Sequence, residues 1–173
     1  MGKSFGTITV LVLLALPLIL FVAGQFRLFA GRKPDDLGIT NGLLKAPMKD
    51  WRNVVSSQAA YHPHEPHHVI APLEYTGDGH GAMERVAGII AGMPGARIVT
   101  ATPHYLHAEF RSMLLGFVDD VEFMLDTNDR LIHMRSGARL NRKDFGANRA
   151  RLESVRSRFE RRAESRNGDP IPT

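Results

Sequence analysis

The sequence predicts an α+β fold: a four-stranded antiparallel sheet packed by two helices on one face and preceded by an N-terminal transmembrane helix. Three patterns carry this expectation. Apolar and polar residues alternate with a period of two through Tyr105–Arg111, Phe117–Leu125 and Leu131–Arg135, as in half-buried strands. Apolar residues recur at helical spacing in Met83–Ile90 and again after Asp144. An uncharged, largely apolar run, Phe5–Gly24, opens the chain.

The 173 residues suit one domain with an appendage: an anchor or uncleaved signal over 1–30, a linker over 31–50, an α+β domain over 51–165 and a disordered tail over 166–173. The chain has no cysteine, which excludes disulfides, thiolate catalysis and Cys-ligated metal or cluster sites. A net charge of +4 comes mainly from arginines near the C-terminus, which read as the solvated face of a helix. Anionic lipid is a weaker partner for that face, and no nucleic acid is expected.

A helix of about 20 residues crosses a hydrocarbon layer of about 30 Å, so Phe5–Gly24 has the length of a membrane anchor, with Pro17 tolerated inside it. The competing reading is a cleaved secretory signal starting at Lys3, but Val22-Ala23-Gly24 is a poor cleavage site. The expected location is therefore a single-pass membrane protein with its domain on the periplasmic or extracytoplasmic side. Lys3 on one flank and Arg27, Arg32 and Lys33 on the other leave the orientation open.

Gly31, Pro34, Gly38, Gly42 and Pro47 mark an extended tether. Trp51 and the ordered run Asn53–Gln58 are expected to lie on the domain. His62, His64, His67 and His68 crowd one loop, but Pro63 and Pro66 hold the path extended and the imidazoles apart, so no metal and no cofactor is expected. Val69–Leu73 reads as a short edge strand, and Met83, Val86, Ala87 and Ile90 form the stripe of a helix over Gly81–Ala91.

Four strands follow, at Arg97–Ala101, Tyr105–Arg111, Phe117–Leu125 and Leu131–Arg135. With Asp126–Asp129 as the turn, Leu125 pairs with Arg130. Asp120 then faces Arg135, Glu122 faces His133, Val121 faces Met134 and Phe123 faces Ile132. One face is apolar. The other carries His107, Glu109, Arg111, Asp120, Glu122, His133 and Arg135, either as a solvated ion-pair ladder or as a binding patch. Asp119 breaks the alternation and suggests a bulge or a strand start.

The closing helix, capped by Asn141 or Asp144, runs to about Ala163 with the stripe Phe145, Leu152, Val155 and Phe159. Asn148 falls in phase with that stripe, needs hydrogen-bond partners, and is expected to meet the backbone of the Ser136–Asn141 turn. Asp119, Arg135, Asn148 and Arg149 are expected in one cluster where the last two strands meet this helix. Arg151 is assigned to the outer, solvated face.

Several motifs in order resemble a known family: Asn53-Val54-Val55-Ser56-Ser57, Ile70-Ala71-Pro72-Leu73, Tyr105–Glu109, Phe117–Phe123, Arg135-Ser136 through Arg139, and Asp144-Phe145-Gly146 to Asn148-Arg149. Over about residues 50–160 the chain is similar to the domain of unknown function 1499 family. Arg52 and Val54 stand where that family commonly has proline and cysteine, and Ala138 where it often has a second serine. The resemblance implies a bacterial or plastid-type protein, often membrane-anchored or exported, with no established activity.

The leading functional reading is a non-enzymatic binding or accessory module of the cell envelope whose charged patch meets a polar ligand or an envelope protein. Its candidate residues are His107, Glu109, Asp119, Asp120, Glu122, Arg135, Ser136, Arg139, Asn148 and Arg149. The alternative is a hydrolase-like enzyme with Asp119, Asp120 or Glu122 as base and His107 or His133 as acid. No nucleophile or oxyanion device accompanies those groups in the sequence.

Overall fold

The computed structural model describes residues 2–47, 53–63, 65–140 and 144–167. Trp51, His64 and Asn141, each assigned a role above, lie outside them. The elements in order are α1 (Gly2–Gln25), β1 (Val54–Ser56), β2 (Leu73–Glu74), α2 (Gly79–Ala91), β3 (Ala96–Ala101), β4 (Tyr105–Arg111), β5 (Val118–Asp126), β6 (Leu131–Ala138) and α3 (Ala147–Asn167).

The fold is α+β with a six-stranded antiparallel sheet, which corrects the expected four strands. The meander β3-β4-β5-β6 is present, and both β1 and β2 add to the far edge of β6. Val54 to Ser56 pair with Gly137 to Arg135, and Leu73 and Glu74 with Ile132 and Leu131. Three residues and two residues are too short for alternation to register as a pattern. They exist because β6 otherwise presents an unpaired row of amides and carbonyls, which short pieces of chain can satisfy. The expected edge strand at Val69–Leu73 accordingly begins only after Pro72.

The β5–β6 register is shifted by two from the one expected. Asp126 pairs with Leu131, so Glu122 faces Arg135, Asp120 faces Gly137, Val121 faces Ser136 and Phe123 faces Met134. The cause is the turn: Asp126 stays in the strand and its Oδ1 accepts from the amides of Asn128 and Asp129, while Arg130 takes φ +56° to close the loop. A shift of two preserves every side chain's face. No bulge interrupts β5 at Asp119, which lies one residue into the strand; the irregularity in the sheet falls between Ile98 and Thr100 of β3.

The apolar face carries Leu106, Ala108, Val121, Phe123, Ile132 and Met134, covered by Met83, Val86 and Ile90 of α2 and Leu152, Val155 and Phe159 of α3. Helix α2 starts two residues earlier than expected because Asp78 caps it, accepting from the amides of His80 and Gly81. Helix α3 starts at Ala147. Asp144 accepts from the amides of Gly146 and Asn148, and Phe145 and Gly146 both have positive φ. Phe145 therefore precedes the helical phase and is 95% exposed, rather than part of the core stripe.

The second face of the sheet is covered too. Residues 31–47, expected as an extended tether, lie across it as a strap. Asn41 and Gly42 form a tight turn between the bridged Thr40 and Leu43, both with positive φ. Leu44 is buried, its amide donating to Gln58 Oε1 at 2.8 Å, and the Gly38 amide donates to Glu122 Oε1 at 2.8 Å.

The transmembrane helix placed over Phe5–Gly24 is corrected. The run is helical, with exposed side chains from Val10 to Val22, but among the described residues no helix is long and apolar enough to cross a membrane. The domain claims its C-terminal end: Arg111 donates to the carbonyls of Gly24 and Gln25 at 2.7 and 3.0 Å, neutralising orphan acceptors of the last turn. Gly24 packs so closely on Leu115 that a Cβ there would stand 2.7 Å from a backbone carbon.

Candidate functional site

The sheet divides the predicted site residues into two sets on opposite faces. Under the strap, β4, β5 and β6 present His107, Glu109, Asp120, Glu122 and Arg135, joined by Arg139 just past β6. All but Arg139 are buried residues, and the Arg139 side chain is 4% exposed. The expected solvated ladder is thus an interior network. The strap covers the face that the ladder reading left exposed.

Its geometry is tight. Arg139 reaches Asp120 through Nε at 2.9 Å and Nη2 at 2.8 Å, and Glu109 at 2.6 Å. His107 Nε2 lies 2.8 Å from Asp120 Oδ1, and Arg97 donates to Glu109 at 2.7 Å. Glu122 receives Arg135 Nη1 at 3.0 Å and the Tyr105 hydroxyl at 2.8 Å, besides the Gly38 amide. Burial alone would raise the Asp120 and Glu109 carboxyls. Hydrogen bonds from Arg139 and His107 to Asp120, and from Arg97 and Arg139 to Glu109, outweigh it and hold both below their ordinary values. Burial, then the neighbouring Glu122 charge, pushes the Tyr105 phenol up. His133, packed at the strap-side edge of β6, contacts Ser57 Oγ at 3.2 Å, and burial lowers its pKa against the opposing pull of Asp126.

On the helix face, Asp119 and Asn148 of the expected cluster meet through Arg151, and Ser136, which was not expected there, joins them. Arg151 donates to Asp119 Oδ2 at 2.6 Å, Asn148 Oδ1 at 2.7 Å and Ser136 Oγ at 2.9 Å, and lies 4.7 Å over the Phe110 ring. The Ser136 hydroxyl donates to Asn148 Oδ1, and Asn148 Nδ2 bridges to the Asn53 carbonyl at 2.8 Å and Asp144 at 2.9 Å. Asn148 therefore bonds the residue before β1 and its own cap rather than the backbone of the turn after β6.

Two members of the expected cluster lie elsewhere. Arg135 points to the strap face, because alternation from Ser136 puts it on the opposite side. Arg149 clamps the histidine loop, donating to the carbonyls of His67 and Val69 at 3.0 and 2.6 Å. That loop is not extended: Pro66–His68 forms a 3₁₀ turn, and buried His68 accepts the Glu65 amide through Nδ1 at 3.0 Å. Among the described residues, no three His, Cys, Asp or Glu side chains converge to hold a metal ion.

Arg151, the cation that joins these side chains, is not among the candidates the sequence suggests. Its signal was present, since it stands three residues after Asn148 and one before Leu152, on the edge of the buried stripe.

Above the Asp119–Arg151 pair opens a pocket of about 330 Å³. Phe110, Phe117, Val118, Leu140 and Phe145 contribute its apolar wall. Burial raises the Asp119 carboxyl, with Arg151 opposing and Asp144 adding to the rise. Asp119 Oδ1 makes no hydrogen bond among the described residues.

No curated protein and no solved structure matches the chain. The model of the family described as Protein of unknown function (DUF1499) matches residues 46–159, from just before β1 into α3, and the chain belongs to that family.

Proposed function

We propose that the protein is a non-enzymatic binding module whose ligand is a small apolar molecule with a hydrogen-bond-donating head group, held in the Asp119–Arg151 pocket. One observation carries this reading: a half-buried ion pair with a free carboxylate oxygen, Asp119 Oδ1, forms the floor of a largely apolar cavity whose other polar lining residues are Arg111, Ser112 and Asp144. Ligand pockets typically combine an apolar lining with a few convergent polar groups and occupy about 300–1,000 Å³. A donor head group answers Oδ1, while the wall from Phe110 to Phe145 accepts the apolar part. Arg151 is already engaged by three acceptors and serves to fix the carboxylate.

The hydrolase reading has less support. A carboxylate base or a histidine acid must reach a substrate. Asp120, Glu122 and His107 are instead engaged with Arg139, Arg135 and one another beneath the strap.

The test is calorimetric titration of the full chain with octylamine and with octanoate, which share a tail and differ in head group. Octylamine binds and octanoate does not; Asp119→Asn weakens octylamine at least about tenfold, or ~1.4 kcal/mol. Ala138→Leu, which fills the pocket beside Asp119, its cross-strand partner, also abolishes binding. Equal binding of both probes, or octylamine binding unchanged in Ala138→Leu, contradicts the reading.

A further inference from the structure

A second cavity, of about 310 Å³, lies between the strap and the polar face of the sheet. Five cations line it: Arg32, Lys33 and Lys45 from the strap, Arg135 and Arg139 from the sheet side. Among the described residues, two carboxylates, Asp35 and Asp120, line it with them. Several of these charges are already matched. Arg32 pairs with Asp35, Lys45 with Asp36, and Arg139 with Asp120 and Glu109.

Two of the five cations stand out, Arg135 by a buried donor and Lys33 by its lack of an ion pair among the described residues. Arg135 is 3% exposed and gives Nη1 to Glu122, yet its Nε is buried without a hydrogen-bond partner among the described residues. Buried guanidinium donors are nearly always satisfied, so an orphan at a cavity wall marks a place for an acceptor. Lys33 is exposed at the rim and makes no ion pair among the described residues. Gly137 completes the geometry. A Cβ there would stand 3.1 Å from Arg135 Nη2, so the absent side chain lets the guanidinium lie against the β6 backbone beside the cavity.

We propose that this cavity is an anion site for a phosphate-type oxyanion, with Arg135 as the buried donor and Lys33 closing over it from the strap. The chemistry fits the class: a tetrahedral oxyanion offers several acceptors at once to a planar guanidinium and to a flexible ammonium. Glu122 occupies Nη1 alone, which leaves the Nε and Nη2 side of Arg135 for the ligand. The site is separate from the Asp119 pocket, since Arg135 and Ser136 point to opposite faces of the sheet.

The experiment titrates the full chain calorimetrically with sodium phosphate, with glycerol 3-phosphate and with sodium chloride at matched ionic strength. Phosphate or the ester binds saturably and chloride does not; binding of the ester alone assigns the site to a phosphomonoester head group rather than the free ion. Lys33→Ala, an exposed change that leaves the core intact, weakens binding several-fold. Gly137→Ala, which displaces the Arg135 guanidinium, weakens it further, with circular dichroism confirming a folded chain. Failure of both phosphates to bind overturns the assignment. So does binding that chloride matches, or binding indifferent to Lys33→Ala.

Discussion

Replacing Arg139 with methionine tests whether the charged face of the sheet is an interior. Arg139 is 4% exposed at its side chain and makes three charged hydrogen bonds, two to Asp120 and one to Glu109. Methionine fills much of the same volume, so the main effect is electrostatic. Asp120, 1% exposed, keeps only His107, while Glu109 keeps Arg97, whose side chain is 64% exposed. Stranding one member of a buried pair costs ~3–5 kcal/mol, whereas breaking an exposed pair costs under about 1 kcal/mol. Because Glu109 retains its partial partner, the lower half of that range, ~3–4 kcal/mol, is expected. At ~2–4 °C per kcal/mol for a chain of this size, the melting temperature falls by ~6–16 °C. Urea denaturation read by circular dichroism measures the free energy directly. In an Asp120→Asn background, Arg139→Met strands no charge at that position, and the double-mutant cycle returns a coupling of at least about 1.5 kcal/mol. A single-variant loss below about 1 kcal/mol, together with coupling near zero, refutes the buried network.

Acid should unfold the protein through the same carboxylates. Asp120 and Glu109 have folded pKa values below the ordinary 3.8 and 4.5, so their stabilisation is complete above those values and is lost as pH falls through the folded ones. Melting temperatures measured against pH should show the gap between wild type and Asp120→Asn closing on acidification; a gap that stays constant contradicts the linkage. Phe145, 95% exposed at φ +51°, holds a left-handed conformation that asparagine tolerates better. Phe145→Asn should stabilise by up to about 1 kcal/mol while weakening octylamine binding, because the strained ring lines the pocket. A variant that is neither more stable nor weaker in binding shows that this strain serves nothing.

Strands β4 to β6 were legible because half-buried strands must alternate, and the β5–β6 faces survived a misjudged register because the error was an even number of residues. The exact register was hidden in the turn. Whether Asp126 belongs to strand or loop depends on its side chain accepting two amides and on Arg130 taking a positive φ, and neither is a matter of hydropathy. β1 was illegible as a strand and β2 was legible only as the end of a misplaced edge piece, since short edge pieces are defined by the partner they satisfy. The charged face was correctly gathered, yet its exposure was misread. Nothing in the Gly- and Pro-rich stretch 31–47 announces that Gly38 and Leu44 dock on the sheet, because the anchors are backbone amides donating to Glu122 and Gln58. Asn148 was legible by its conflict with an apolar stripe and Asp119 by its break in the strand alternation, whereas the Ser136 hydroxyl between them carried no such signal. The cation joining them was assigned instead to Arg149 and Arg135. Helix phase favours Arg151, three residues on from Asn148, over Arg149, one residue on.

The claim that the Asp119–Arg151 pocket is the binding site is tested most directly by mapping octylamine onto the protein with amide chemical shifts. The account predicts saturable shifts concentrated at Val118, Asp119, Leu140, Ala147 and Arg151, and their loss in Ala138→Leu. Shifts centred on His107, Glu122 and Gly38 beneath the strap, or scattered without saturation, would contradict it.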